Sequence, residues 1–371
     1  MDRRTAAALI TAGIIGVTGG TSAAVLRSPG PSSAAGTSTP AASSSPRATA
    51  SPSPTPRSRA TSVLYAAGTT IHDGARTIRW AAPLRFVRGL SRIPGGYLVA
   101  LSGTETEPGL ELWSVRPDGT SSQVAAVVGD WDLSPDRTRV VGLATSGLRL
   151  TVWSVADGSV VRAWRTFAYT VSPVFAGDDV VVDPVAPDGS TELVSWNPDT
   201  GRPGRPTPSG LASMSASLDG RTLAGATGVD GRTNSQEGTP CLVVASYPWI
   251  PDSASSWQTC DWSTPGGTTP ISPDGSTVLA EPSGTDGFGP TLLATFSATD
   301  GPSVGLRRFA PPTGTYGATW LDDDHLLLTG ATDVEVTNGS GGTWLRTCTL
   351  AGRCTQVASV PRGRLVPGAL K

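Results

Sequence analysis

The sequence predicts an all-β repeat domain carried behind an apolar N-terminal segment and a spacer. Three observations predict it. The composition is rich in turn formers and poor in charge: 45 of 371 residues are Gly, 32 are Pro, and only 16% are charged, against roughly 25% in an average soluble domain. The Ala/Glu/Lys/Leu excess of helix bundles and coiled coils is missing. An Asp- or Gly-bearing turn recurs inside an apolar frame. A second signature, a large aromatic shortly before an Asp/Gly turn, recurs in phase with the first.

The first signature is IPGG (93–96), SPDR (134–137), AGDD (176–179), SLDG (217–220), SPDG (272–275) and LDDD (321–324). Successive copies lie 41, 42, 41, 55 and 49 residues apart, the length of one small four-stranded repeat. Each is followed by a strand of Leu and β-branched residues: GYLVALSG, RTRVVGLAT, DVVVDPV, RTLAGAT, STVLAEP and HLLLTGAT. Apolar runs of this length, bounded by Gly, Pro and Asp, read as buried strands.

The second signature is LELWSVRPDG (110–119), LTVWSVADG (150–158), LVSWNPDTG (193–201) and LLATFSATDG (292–301). LVVASYPWIPD (242–252) and WLRTCTLAGRC (344–354) are degenerate copies. Trp113, Trp153, Trp196 and Phe296 fall near the strand ends, and Gly then closes a tight turn because it accepts positive φ without a Cβ clash. Each repeat therefore holds four strands and two such turns.

These two motifs resemble blades of the WD-repeat and TolB-type β-propeller families, over residues 62–371. The Trp-Asp ending and Gly-His opening of WD repeats are absent, which favours the TolB-type branch. The resemblance implies a fold rather than an activity, because propellers host many functions. Six complete repeats run from about 83 to 360. Residues 63–82 match strands two to four of a further blade, and residues 364–371 match a first strand. The expectation is a seven-bladed propeller, six blades complete and one closed by both termini; six blades with a loose N-terminal hairpin is the alternative.

Residues 1–26 begin MDRR and continue as an uncharged run over 5–26. About 20 apolar residues cross a bilayer as a helix, and Arg3 and Arg4 place the N-terminus inside. The segment reads as a signal anchor or as a cleaved signal peptide. Ala7 and Ala8 stand where twin-arginine export favours larger residues, and the segment has no Cys for a lipid anchor. Residues 27–61 are nearly all Ser, Thr, Ala, Pro and Gly, with too little apolar surface to offset the entropy of ordering. They read as a disordered tether. The domain 62–371 is then expected outside the cell membrane on a single-pass anchor, or secreted after cleavage.

Four cysteines allow three pairings. In the repeat frame Cys348 and Cys354 face each other across one turn, and Cys241 and Cys260 hold corresponding places in an earlier repeat. Adjacent antiparallel strands bring such pairs within bonding reach. Disulfides Cys241–Cys260 and Cys348–Cys354 are expected, in keeping with an exported chain. Paired Cys at zinc-ligand gaps are absent.

No residue pattern points to catalysis, a cofactor or a metal. His72 and His325 are the only histidines and share no motif. GPSVG (301–305) matches G-x-S-x-G formally, but a nucleophile elbow needs a strand-to-helix turn, so Ser303 is read as a turn residue. Asp322, Asp323 and Asp324 occupy a repeat turn and lack the spacing of a calcium loop. Removing the six Arg and one Asp of residues 1–60 from the 28 bases and 30 acids leaves 22 bases and 29 acids. A mildly acidic domain is a poor phosphate-backbone binder, which excludes nucleic acid as partner and leaves membrane contact to the N-terminal helix.

Among the loops expected to join second and third strands, which cluster on one face, three are long: 102–109, 226–240 and 280–291. They carry Glu105, Glu107, Asp230, Glu237, Glu281 and Asp286, the candidate ligand face, since loops on a rigid scaffold carry function. The expected partner is an envelope protein or peptide. The alternatives are a glycan-active hydrolase or lyase on the same fold, or a structural spacer.

Overall fold

The computed structural model describes residues 62–84, 86–104, 109–166, 172–183, 192–204, 207–208, 211–227, 241–248, 257–265, 269–284, 289–303, 307–331 and 342–369. The anchor segment 1–26 and the spacer 27–61 lie outside these residues. Among the described residues every regular element is a β-strand, and no helix is long and apolar enough to cross a membrane.

The strands run in sequence order as antiparallel meanders. β1 (Leu64–Ala67), β2 (Thr70–Asp73) and β3 (Arg76–Arg79) come first. β4 (Phe86–Ile93), β5 (Gly96–Ser102), β6 (Leu110–Val115), β7 (Ser121–Leu133), β8 (Arg139–Ala144), β9 (Arg149–Ser154) and β10 (Val160–Arg165) form one seven-stranded sheet. Then come β11 (Val174–Ala176), β12 (Asp179–Val182), β13 (Glu192–Trp196) and β14 (Thr207–Pro208). The next sheet is β15 (Leu211–Ala216), β16 (Thr222–Thr227), β17 (Cys241–Ser246) and β18 (Trp257–Thr259). It is followed by β19 (Trp262–Ser263), β20 (Thr277–Pro282), β21 (Leu293–Ser297) and β22 (Arg307–Phe309). The last complete meander is β23 (Thr315–Trp320), β24 (His325–Ala331), β25 (Thr343–Thr349) and β26 (Cys354–Val360). Finally β27 (Leu365–Pro367) returns to β1, with Tyr65 opposite Pro367, Ala66 opposite Val366 and Ala67 opposite Leu365. The first sheet therefore contains strands from both ends of the domain.

The core explains the unbroken apolar runs. Successive side chains of a strand point to opposite faces, and here both faces are covered. In β12, Val180 and Val182 pack with Phe175, Trp196 and residues of β8 and β9, whereas Val181 packs with Met214 and Leu223 of the next sheet. In β24, Leu326 and Leu328 face Leu279 and Phe309 of the preceding sheet, and Leu327 faces Leu365 and Tyr65. Each sheet is thus sandwiched between its neighbours, and alternation within one strand serves two interfaces.

The thirteen-residue β7 joins two such layers. Its first part pairs with β6 as far as Val128, and its second part pairs with β8 from Val128 to Leu133. Side chains from the two halves of this sheet meet face to face: Leu98, Ala100 and Leu112 pack against Leu133, Val140 and Val155. A flat sheet cannot bring those strands face to face, so the sheet folds back on itself at β7.

Both disulfides are present, Cys241–Cys260 and Cys348–Cys354, with Cα separations of 3.9 and 4.1 Å. Each ties the outer two strands of its sheet, β17 to β18 and β25 to β26. Outer strands need this most, because each is an edge with only one hydrogen-bonded neighbour.

The repeated turns have a common chemistry. In 134–137, 217–220 and 272–275 the Ser hydroxyl donates to the Asp carboxylate two residues on, at 2.6 Å each time. The fourth residue returns its N–H to the Ser carbonyl and takes a left-handed conformation: Arg137 at φ 60°, Gly220 at 70° and Gly275 at 74°. Successive turns also stack. A Cβ added at Gly220 would lie 1.8 Å from the backbone nitrogen of Gly177, in the preceding sheet's turn, whereas one at Gly275 would make ordinary contact with Ser217 at 3.4 Å. We therefore expect Gly275→Ala to cost about 1 kcal/mol, the left-handed conformation alone. Gly220→Ala should cost clearly more, because backbone must move as well. Denaturant midpoints of the two variants check this, and equal losses would contradict the stacked-turn geometry.

Candidate functional site

Meander topology sorts the connections onto two edges. Turns after the first and third strands of a four-stranded unit lie at one edge, here the turn edge. Connections after the second strand lie at the other. The three long acid-bearing connections join β5 to β6, β16 to β17 and β20 to β21, so all three leave the edge opposite the repeated turns.

Glu281 is the one predicted ligand-face residue among those described. It lies within β20, opposite Ser263 of β19, and is half-buried. This corrects the expected loop boundary: strand pairing continues through Pro282, so Glu281 sits at the root of its connection rather than in it. Glu105, Glu107, Asp230, Glu237 and Asp286 lie outside the described residues.

At the turn edge a charged cluster links the first sheet to β4 and β5. The Arg92 guanidinium donates to both carboxylate oxygens of Asp73, at 2.6 and 3.2 Å, and to the Ser62 carbonyl. Ser62 and Tyr97 donate their hydroxyls to the same carboxylate at 2.6 and 3.0 Å. Burial alone would raise the Asp73 pKa. The hydrogen bonds from Arg92 and Ser62, the Arg92 charge and the Tyr97 hydroxyl outweigh it and hold the carboxyl down to about 2. Burial, together with the hydrogen bond to Asp73, pushes the Tyr97 hydroxyl up. Nothing in the repeat signatures marks Asp73 or Arg92, which fall outside both motifs.

Other polar contacts repeat this pattern of cross-sheet ties. Asp179 accepts from Asn197 at 2.9 Å and from Tyr247, in the next sheet, at 2.8 Å; burial and this bond push the Tyr247 hydroxyl pKa up. Asp132 of β7 accepts the Phe175 N–H of β11 at 2.8 Å. The Asp274 N–H donates to Asp323 at 3.0 Å, joining two successive turns.

The residues weighed for chemistry take structural places. Asp322 accepts the Asp324 N–H and pairs with His325 Nδ1 at 2.8 Å, within the repeat turn. His72 stacks on Tyr65 with ring centroids 4.5 Å apart, and burial lowers its pKa. Ser303 donates to the Asp300 carbonyl, which holds its hydroxyl inside the turn. No group of three His, Cys, Asp or Glu that could hold a metal occurs among the described residues.

No protein-family model matches the chain, and no curated protein matches it by sequence. Solved structures do. The β-propeller domain of the Trilobed protease from Pyrococcus furiosus is similar with a TM-score of 0.51 at 11% identity, over 78% of this chain and 86% of that one. The chain folds as a β-propeller. Its structural neighbours also include a chain of the Mitotic Checkpoint Complex, at 13% identity and TM-score 0.48, covering 87% of this chain and 89% of that one. TolB from Acinetobacter baumannii is similar at 11% identity and TM-score 0.45, covering 82% and 80%.

On this propeller the Asp73–Arg92 pair joins the sheet made from both termini to its neighbour, so it bears on stability. The folded pKa of Asp73 lies below its ordinary 3.8. The pair's contribution is therefore present in full above about pH 4 and lost as pH falls from about 4 toward 2. Asp73→Asn is expected to lower stability at neutral pH by on the order of 2 kcal/mol. It should also flatten the acid limb between those values relative to the parent. Denaturant titrations at stepped pH check this, and parallel acid limbs in the two proteins would contradict it.

Proposed function

We propose that this chain is an extracytoplasmic, membrane-tethered propeller that binds a protein or peptide of the cell envelope. The observation that carries the binding role is topological. The connections that carry Glu105, Glu107, Asp230, Glu237 and Asp286, with Glu281 at the root of one, all leave one edge of the ring, opposite the repeated turns. Loops that vary in length on one edge of a rigid scaffold are where recognition is built. The acidic side chains suit a partner that presents Lys or Arg. The two disulfides favour an oxidising compartment, and the uncharged run at 5–26 behind Arg3 and Arg4 favours a single-pass anchor with the propeller outside.

We also propose that the ring has seven blades. Five four-stranded sheets supply five, and the seven-stranded sheet, doubled at β7, supplies two that share that strand. Seven apolar interfaces among the described residues support this count, including one between the two halves of the seven-stranded sheet and one between β24, β25 and β27.

The test is affinity capture of the full-length chain from cross-linked native membranes, in parallel with Glu105→Lys, Glu107→Lys and Glu281→Lys combined. A partner captured by the parent should fall by roughly tenfold with the variant, the effect of about 1.4 kcal/mol. Equal capture by both would overturn the assignment of the acidic edge. The same fractions report the anchor: the chain is expected with the membranes and open to protease added from outside.

A further inference from the structure

Among the described residues, β3, β10, β14, β18, β22 and β26 each end a sheet on its outer side. Such edges are ordinarily blunted, because their free N–H and C=O groups invite another chain. β14, β18 and β22 are only two or three residues long, and β3 is four. β26 is longer, but it is tied by Cys348–Cys354, and its exposed residues are the polar Thr355, Gln356 and Ser359. β10 has neither device. It runs for six residues and exposes five of them. Val160 is 59% exposed and Val161 38%. Leu148, whose carbonyl accepts the Thr166 N–H just beyond the far end of β10, is 37% exposed. These are three of the four large apolar side chains that stand exposed among the described residues.

The strand is fixed from behind. Trp164 stacks on Trp196 of the following sheet with ring centroids 5.7 Å apart, and Arg162 donates to the Asp199 carbonyl at 3.2 Å. A strand added to β10 would meet an edge already ordered, which lowers the cost of binding. The charge along this edge has one sign. Arg165 stands directly opposite Arg149 of β9, and both are exposed. Neither belongs to any of the four ion pairs among the described residues. Like charges directly opposite each other destabilise a strand pair. A charge on β10 can guard the edge. Arg149 has no edge to guard, because β9 is paired on both sides.

We propose that β10 takes up an extended acidic segment of a partner protein as a further strand of its sheet. Main-chain hydrogen bonds supply the affinity in this mode, and alternate side chains supply the specificity. An Asp or Glu placed across from Arg165 lies on the same face as Arg149 and answers both charges, while Val160 and Val161 take aliphatic neighbours. Charge argues against two nearer occupants. Residues 1–60 carry six Arg and one Asp. A second copy would bring Arg149, Arg162 and Arg165 again, with no acid in either strand. The proposal does not rest on the acidic connections or on the partner assigned to them.

The experiment is fluorescence anisotropy with the full-length chain in detergent. The probe is a short labelled peptide of alternating Val and Glu. Two controls have the same length: alternating Val and Lys, and the Val/Glu peptide with its backbone nitrogens methylated. The Val/Glu peptide should bind saturably, and more weakly as sodium chloride rises. The methylated peptide keeps the charge and loses the ladder, so it should bind at least about tenfold more weakly. The Val/Lys peptide should not bind. Arg165→Glu should weaken Val/Glu binding by roughly tenfold. Its peptide-free Tm should be no lower than the parent's, because the substitution sets a carboxylate opposite Arg149. The proposal is overturned if the Val/Glu peptide fails to saturate, if either control binds as well, or if Arg165→Glu binds like the parent. A dimer in sedimentation that Arg165→Glu dissolves would give the edge to a second copy and overturn it too.

Discussion

The pairing of β27 with β1 is the contact on which the ring depends. It is short, three residue pairs, extended by Gly368 donating to the Leu64 carbonyl and Ala369 to the Leu90 carbonyl. Its importance comes from what surrounds it. Central strands here are apolar on both faces, so each sheet is stable only between two neighbours. Without β27, Leu365 and Val366 would leave two separate apolar clusters. The edge of β1 would also be open to another chain, a hazard that closed sheets avoid. The C-terminal strand thus completes a hydrogen-bond ladder and two packing interfaces at once.

Polar chemistry is concentrated where this packing ends. At the turn edge, carboxylates accept hydrogen bonds from the neighbouring sheet, as Asp73, Asp179 and Asp323 do. Such charge-assisted bonds fix one sheet's turn relative to the next without displacing apolar side chains. The interior is left to dispersion and burial, and the rim sets the angular relation of neighbours. The Arg137 turn departs from this economy, since its charge is answered by no carboxylate among the described residues.

The ring separates residues held by a repeated packing constraint from residues free of it. The sheets repeat because each must satisfy the same two-faced packing. The connections at the edge opposite the turns are free of that constraint and differ in length and charge. This explains why the repeat signatures identify the architecture and leave the ligand open: the residues that repeat are those that pack, and the connections outside the packing carry no repeat signature.

The sequence by itself determined the all-β repeat, the turns and the pairing of the cysteines. These are local properties: Gly or Asp at a tight turn, alternation along a strand, and two cysteines facing each other across one hairpin. It also determined that residues 364–371 look like a first strand. Only the tertiary structure decided that β7 runs on for thirteen residues and serves two layers, that Glu281 belongs to a strand, and that Asp73 and Arg92 meet. It alone decided that Arg137 takes a left-handed conformation. Each of these joins residues from different repeats or depends on a neighbouring sheet. Spacing along the chain carries no record of such meetings, because the distance between repeats is set by the packing of whole sheets.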